Sequence, residues 1–148
     1  MLTNVVSTVA DPNHYINGPY TMAINPNGLY AYVTNYGNPV KTGDPPNNSI
    51  GIINLKNNTV EKNIVLGTSA KTAKSPSGIA ITSNGKYLFV THYTEKGTVT
   101  ILDTNTNTIV DSITVGSFPS MVAISPNNAH AYVSNYSDNT VSVISRQK

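Results

Sequence analysis

Ala31-Tyr32-Val33-Thr34-Asn35-Tyr36 is one of three versions of the same phrase in this chain, and it is preceded by Met22-Ala23-Ile24-Asn25-Pro26-Asn27-Gly28. The second version reads Ile79-Ala80-Ile81-Thr82-Ser83-Asn84-Gly85, then Leu88-Phe89-Val90-Thr91-His92-Tyr93. The third reads Val122-Ala123-Ile124-Ser125-Pro126-Asn127-Asn128, then Ala131-Tyr132-Val133-Ser134-Asn135-Tyr136. Each phrase is an apolar run, a turn rich in Asn, Gly and Pro, and a second apolar run. That pattern describes a tight hairpin, because Asn and Gly accept the positive φ such turns require. Repeats at a period of ~40–50 residues with several short strands each specify a propeller or a solenoid.

The spacing locates one irregularity. Ala80 and Ala123 stand 43 residues apart, but Ala23 and Ala80 stand 57 apart. The excess falls between Tyr36 and Ile50, so Gly37–Asn48 is an insertion loop in the first repeat. The repeats span residues 18–67, 77–116 and 119–148 of a single domain, 1–148. Each resolves into short strands: Thr21–Asn25, Tyr30–Thr34, Ser49–Asn54 and Thr59–Leu66 in the first, and Gly78–Thr82, Tyr87–Thr91, Thr98–Asp103 and Thr108–Val115 in the second. The third supplies Ser120–Ser125, His130–Ser134 and Thr140–Ser145 and stops short of a fourth strand. Asn4-Val5-Val6-Ser7-Thr8-Val9 aligns with Thr108-Ile109-Val110-Asp111-Ser112-Ile113, so residues 1–10 are read as the closing strand of the last blade. The fold class expected is therefore all-β: a β-propeller with three four-stranded blades per chain. Three blades fall below the ~4–8 of a closed ring, which leaves two explanations: a second chain completes a six-bladed ring as a head-to-tail homodimer, the reading preferred here, or the 148 residues are a piece of a longer propeller.

Composition narrows the function classes. There is no cysteine, only 11% of residues are charged, and the net charge is +2. Disulfides and thiol chemistry are excluded, and the charge is too weak for a nucleic-acid surface. No apolar run approaches the ~18 residues of a membrane span. Met1-Leu2-Thr3-Asn4 lacks the basic and apolar regions of a secretory leader, which leaves the compartment open.

The quoted segments resemble the YVTN β-propeller repeat family, whose tetrapeptide stands here as Tyr32-Val33-Thr34-Asn35, with variants Phe89-Val90-Thr91-His92 and Tyr132-Val133-Ser134-Asn135. The resemblance covers essentially the whole chain. It implies kinship with lactonase-type propellers and with surface-layer or secreted proteins.

In a propeller the loops that follow the second and fourth strands share one rim, where partners usually bind. The candidate binding residues there are Asn35, Tyr36, His92, Tyr93, Asn135 and Tyr136, and three equivalent tyrosines could ring a channel mouth. His92 is where the motif breaks from Asn, and it is expected to face solvent. A general base needs an orienting partner and a metal needs converging ligands. Asp11, Asp44, Glu61, Glu95, Asp103, Asp111 and Asp138 are scattered over different loops, with no pairing for a glycosidase dyad or a calcium loop. No catalytic residue, metal ligand or cofactor is therefore assigned. The reading is a non-enzymatic binding or assembly module with a protein or carbohydrate ligand. The alternative is a lactonase-type hydrolase with its site at the channel mouth.

Overall fold

A computed structural model describes residues 6–36, 48–66 and 75–145. Among them every regular element is a strand. The first sheet has the order β1 (Pro19–Ile24), β2 (Tyr30–Asn35), β3 (Ser49–Asn54), β4 (Thr59–Val65). The second is β5 (Pro76–Ile81), β6 (Tyr87–His92), β7 (Thr98–Asp103), β8 (Thr108–Thr114). The third holds β9 (Pro119–Ile124), β10 (His130–Asn135) and β11 (Thr140–Ser145), with β10 in the middle. All neighbouring strands are antiparallel. The all-β propeller architecture is thus present as two four-stranded blades and one of three strands.

The hairpin turns follow from their residues. Gly28 and Gly85 both adopt φ 71° where the chain reverses between the first two strands, and Asn128 takes φ 57° at the same place in the third sheet. Asn58 and Asn107 provide the left-handed position between the third and fourth strands. One detail differs from expectation: the inner strands begin two or one residues earlier, at Pro19, Pro76 and Pro119. Each proline pairs with the last residue of the second strand, Asn35, His92 and Asn135 respectively. Proline is tolerated there because a first strand position need not donate to the ladder.

The sheets stack through their faces, and the inner strands lie closest. One core fills the space between the first and second sheets: Tyr32, Ile50, Ile52 and Ile64 against Ile79, Leu88, Val90 and Leu102. A second core joins Val99 and the half-buried Phe89 and Ala80 to Val122, Ala131 and Val133 of the third sheet. β2 and β6 are apolar on successive residues because both their faces are covered. β10 alternates buried and exposed, because among the described residues one face of the third sheet meets no neighbour. The opposite end is different. Tyr15, Ile16 and Leu55 pack on Ala31, Val33, Ile53 and Val60, covering part of the first sheet's outward face.

The closing-strand residues 1–5 and the insertion residues 37–47 lie outside the described residues. Val6 is 97% exposed, residues 6–9 belong to no strand, and Ala10 forms a parallel bridge to Thr59.

Candidate functional site: the loop rim of the blades

Each letter of the repeated tetrapeptide has a separate task, set by which way its side chain points. Tyr32 and Phe89 face the next sheet, while Val33, Val90 and Val133 face the side of the preceding one. The hydroxyl residue ties sheets together. Thr34 Oγ1 accepts the Thr21 amide in its own sheet and donates to the Ser77 carbonyl of the next, at 3.0 and 3.1 Å. Thr91 repeats this with the Gly78 amide and the Ser120 carbonyl, at 2.8 and 3.3 Å. Ser134 accepts the Met121 amide at 3.2 Å and meets Ser120 Oγ within its own sheet.

The fourth residue turns inward. Asn35, His92 and Asn135 are all buried. Asn35 Nδ2 donates to Ser49 Oγ at 2.9 Å and to the Tyr15 carbonyl at 2.8 Å, and its Oδ1 accepts the Asn17 amide at 3.2 Å. Asn135 Nδ2 donates to Thr140 Oγ1 and Ser142 Oγ, at 3.0 and 2.9 Å. His92 Nε2 lies 2.7 Å from Thr100 Oγ1. These side chains anchor the second strand to the third, and Asn35 also holds the incoming loop. His92 therefore faces the interior and not solvent.

The following tyrosines emerge on the rim. Their amides are fixed by the connection that enters each inner strand: Tyr36 to the Gly18 carbonyl, Tyr93 to Ser75 and Tyr136 to Phe118, at 3.1, 2.8 and 3.1 Å. Tyr93 and Tyr136 come together, with ring centroids 6.4 Å apart, while Tyr36 pairs instead with Tyr20 at 5.5 Å. Sequence reasoning missed Phe118, whose ring stands edge-on to Tyr93 at 5.1 Å. Phe118 has φ 49°, a left-handed conformation that costs a non-glycine residue ~1–2 kcal/mol. Gly18 occupies the equivalent place in the first repeat with φ 57°. A signal was therefore available: an aromatic residue stands where the turn asks for glycine. Around this aromatic group Ser117 donates its amide to Asp138 Oδ2 at 2.7 Å and its hydroxyl to the Glu95 carbonyl at 2.9 Å.

Asp103 caps the β7–β8 turn by accepting the Asn105 amide at 2.8 Å. Among the described residues no three His, Cys, Asp or Glu side chains converge as a metal site. No helix among them is long and apolar enough to cross a membrane. Away from the rim, burial pushes the Tyr32 phenol up, partly offset by hydrogen bonds from Asn25 and Thr104.

Residues 30–148 match the family described as "Lactonase, 7-bladed beta-propeller". The chain belongs to that family. Among curated proteins, this lactonase-family chain is 28% identical over 125 residues to Antigen Lp49 of Leptospira interrogans serogroup Icterohaemorrhagiae serovar copenhageni, covering 76% of this chain and 26% of Lp49. Among solved structures, Kuenenia stuttgartiensis hydrazine synthase superposes with TM-score 0.72 at 20% identity, over 97% of this chain and 36% of that one. A putative 6-phosphogluconolactonase from Bacteroides uniformis gives TM-score 0.70 at 17% identity, over 89% and 37% of the two chains. A second, from Bacteroides fragilis, gives 0.71 at 20%, over 88% and 35%. This propeller chain thus spans about a quarter of the curated relative and little more than a third of each solved structure.

Proposed function

We propose that this chain is a non-enzymatic binding and assembly module of YVTN-repeat character, which uses its loop rim to hold a ligand. The observation that carries the reading is the aromatic group formed by Tyr93, Phe118 and Tyr136, with Phe118 kept in a costly backbone conformation at its centre. Strain of this kind persists where the surrounding structure over-determines it, and such positions cluster at functional sites. Partly exposed aromatic faces among hydroxyl and amide groups suit stacking on a neutral sugar ring. In this reading Tyr36, Tyr93 and Tyr136 touch the ligand, while Asn35, His92 and Asn135 hold them in place. Two chains assemble head to tail into a six-bladed ring.

The test is fluorescence titration of the nine tyrosines with a neutral oligosaccharide series such as cellotetraose and chitotetraose. Saturable binding that Tyr136→Ala weakens at least tenfold supports the reading. Flat titrations for parent and variant alike would refute it.

The lactonase-type alternative is favoured by the family match and by the two 6-phosphogluconolactonase-like structures. Against it, His92 is buried in the sheet beside Thr100, and among the described residues no three His, Cys, Asp or Glu side chains converge as a metal site. Turnover of 6-phosphoglucono-lactone above the uncatalysed rate, abolished by a rim substitution, would decide for the hydrolase.

A further inference from the structure

The connections into the first and third sheets are built on one plan and differ in where a single amide goes. Asn17-Gly18-Pro19 enters β1 and Ser117-Phe118-Pro119 enters β9. The carbonyls of Gly18 and Phe118 accept the Tyr36 and Tyr136 amides alike, both at 3.1 Å. In the first connection the Asn17 amide closes onto Asn35 Oδ1 at 3.2 Å. In the third the matching amide, that of Ser117, donates instead to Asp138 Oδ2 at 2.7 Å. Asn135 stands where Asn35 does and is only 3% exposed, yet among the described residues its Oδ1 has no hydrogen-bond partner. A buried acceptor in that state is costly and asks for a reason. Here the reason is that its donor has been taken by Asp138.

The two acceptors flank the same stretch of backbone. Gly116, the residue before Ser117, lies directly on the Asn135 side chain: a Cβ at position 116 would stand 2.5 Å from Asn135 Cγ and 2.6 Å from Nδ2. Glycine also leaves the following peptide free to rotate toward one acceptor or the other. The carboxylate wins, because a charge-assisted hydrogen bond is roughly twice as strong as a neutral one. Its capture of Ser117 is one of three bonds that fix the segment. Ser117 Oγ donates to the Glu95 carbonyl at 2.9 Å, and the Phe118 amide donates to the Thr94 carbonyl at 2.8 Å. Together they hold Phe118 at φ 49°, with its ring 5.1 Å from that of Tyr93. Gly18 takes the same left-handed conformation without cost. The additional carboxylate therefore stands in the repeat where the strain is.

We propose that Asp138 is a positioning residue for the rim. Its carboxylate draws the Ser117 amide away from Asn135 and so sets Phe118 against Tyr93 before any ligand arrives. Without the carboxylate the amide passes to Asn135 Oδ1, the arrangement of the first repeat, and the Phe118 ring loses its fixed seat. For its effect on affinity the inference rests on the rim-binding reading above, while the handover of the amide is a property of the free protein. A ligand that meets rings already in place loses nothing to ordering them, which is how preorganisation raises affinity. The charged residues of the β6–β7 connection, which packs on this segment, are Glu95 and Lys96; Gly116–Pro119 carries none. Glu95 acts on Ser117 through its backbone carbonyl, so its carboxylate is a control for the one on Asp138.

The experiment reads the acceptor directly, by NMR, as the scalar coupling across the hydrogen bond from the Ser117 amide nitrogen to a side-chain carbonyl carbon. It compares the parent with Asp138→Ala, which changes an exposed turn residue and keeps the fold, and with Glu95→Gln. The expected coupling is to Asp138 Cγ in the parent and in Glu95→Gln, and to Asn135 Cγ in Asp138→Ala. Nuclear Overhauser contacts between the Phe118 and Tyr93 rings should be strong in the first two proteins and weak in the third. Chitotetraose should bind Asp138→Ala about tenfold more weakly than the parent, because the left-handed Phe118 must then be re-formed on binding. A Ser117 amide that couples to Asn135 in the parent, or to neither side chain in Asp138→Ala, overturns the inference. So does a Phe118–Tyr93 contact, or a chitotetraose affinity, that Asp138→Ala leaves unchanged. If chitotetraose does not bind the parent at all, the sugar-binding reading fails, and the acceptor and the ring contact still decide the role of Asp138.

Discussion

Substituting Gly78 by alanine tests how closely two blades approach at their inner strands. An added Cβ would lie 2.6 Å from Met121 Cα, 2.6 Å from the Ser120 carbonyl oxygen and 2.9 Å from Thr91 Oγ1. Two of these are backbone atoms of β9 and cannot rotate aside. Carbon atoms in ordinary contact stand ~3.5 Å apart, so β9 must retreat by roughly 0.9 Å. That retreat stretches two bonds between the sheets, Thr91 Oγ1 to the Ser120 carbonyl and Ser77 Oγ to the Pro119 carbonyl, now 3.3 and 3.0 Å. Overpacking costs about 1–3 kcal/mol and each weakened hydrogen bond about 1 kcal/mol, against a gain of about 0.4–1 kcal/mol from the stiffer unfolded chain. The net loss should be about 3 kcal/mol, or a fall in melting temperature of about 6–12 °C for a chain of this size. Urea unfolding followed by tyrosine fluorescence measures it. Gly28→Ala is the internal control. It meets nothing within 4 Å, so it pays only for its positive φ, about 1–2 kcal/mol. A Gly78→Ala protein within about 0.5 kcal/mol of the parent would refute the account of the stacked inner strands.

Three further outcomes follow from the same structure. His92→Asn should cost less than about 1.5 kcal/mol, because Asn35 and Asn135 make the equivalent bonds to the third strand, whereas His92→Leu leaves Thr100 Oγ1 without this partner and should cost more; denaturant midpoints rank the pair. Alkaline titration at 295 nm should show Tyr32 ionising above the ordinary tyrosine range. Its folded pKa lies above the unfolded one, so its stabilisation is complete below about pH 10 and fades as pH rises further, a loss that Tyr32→Phe removes. Replacing Gly37–Asn48 by the short connection of the second repeat, Thr94–Gly97, should preserve the melting temperature, since that connection already closes a four-stranded sheet; a collapse of the circular-dichroism spectrum would contradict this.

Much of the architecture could be read from the chain because the repeat states it three times. A turn residue or an apolar pair doubtful in one copy is settled by the other two, and strands such as Ser49–Asn54 and Thr98–Asp103 stand where the sequence puts them. The early starts at Pro19, Pro76 and Pro119 were hidden, because proline ordinarily argues against a strand and only pairing geometry shows that these amides are not needed. The inward turn of Asn35, His92 and Asn135 was hidden for a related reason. A polar residue at a strand end reads as surface, and its burial becomes legible only once Ser49, Thr100 and Thr140 are seen waiting across the ladder. The tyrosines after them were recognisable as rim residues, but the Tyr93–Phe118–Tyr136 grouping depends on a backbone φ that no periodicity encodes.

The middle sheet is the one with a sheet packed on each side, and that fixes how the fold comes apart. With coupling chiefly between nearest neighbours, opening the second sheet forfeits two interfaces, while opening the third forfeits one and exposes a face already half wet. Amides of β6 and β7 should therefore exchange with solvent deuterium only through global unfolding. Those of β11 should exchange through local fraying that leaves the first two sheets intact. The described strands then form a graded series of stabilities, most persistent in the second sheet and most yielding at β11.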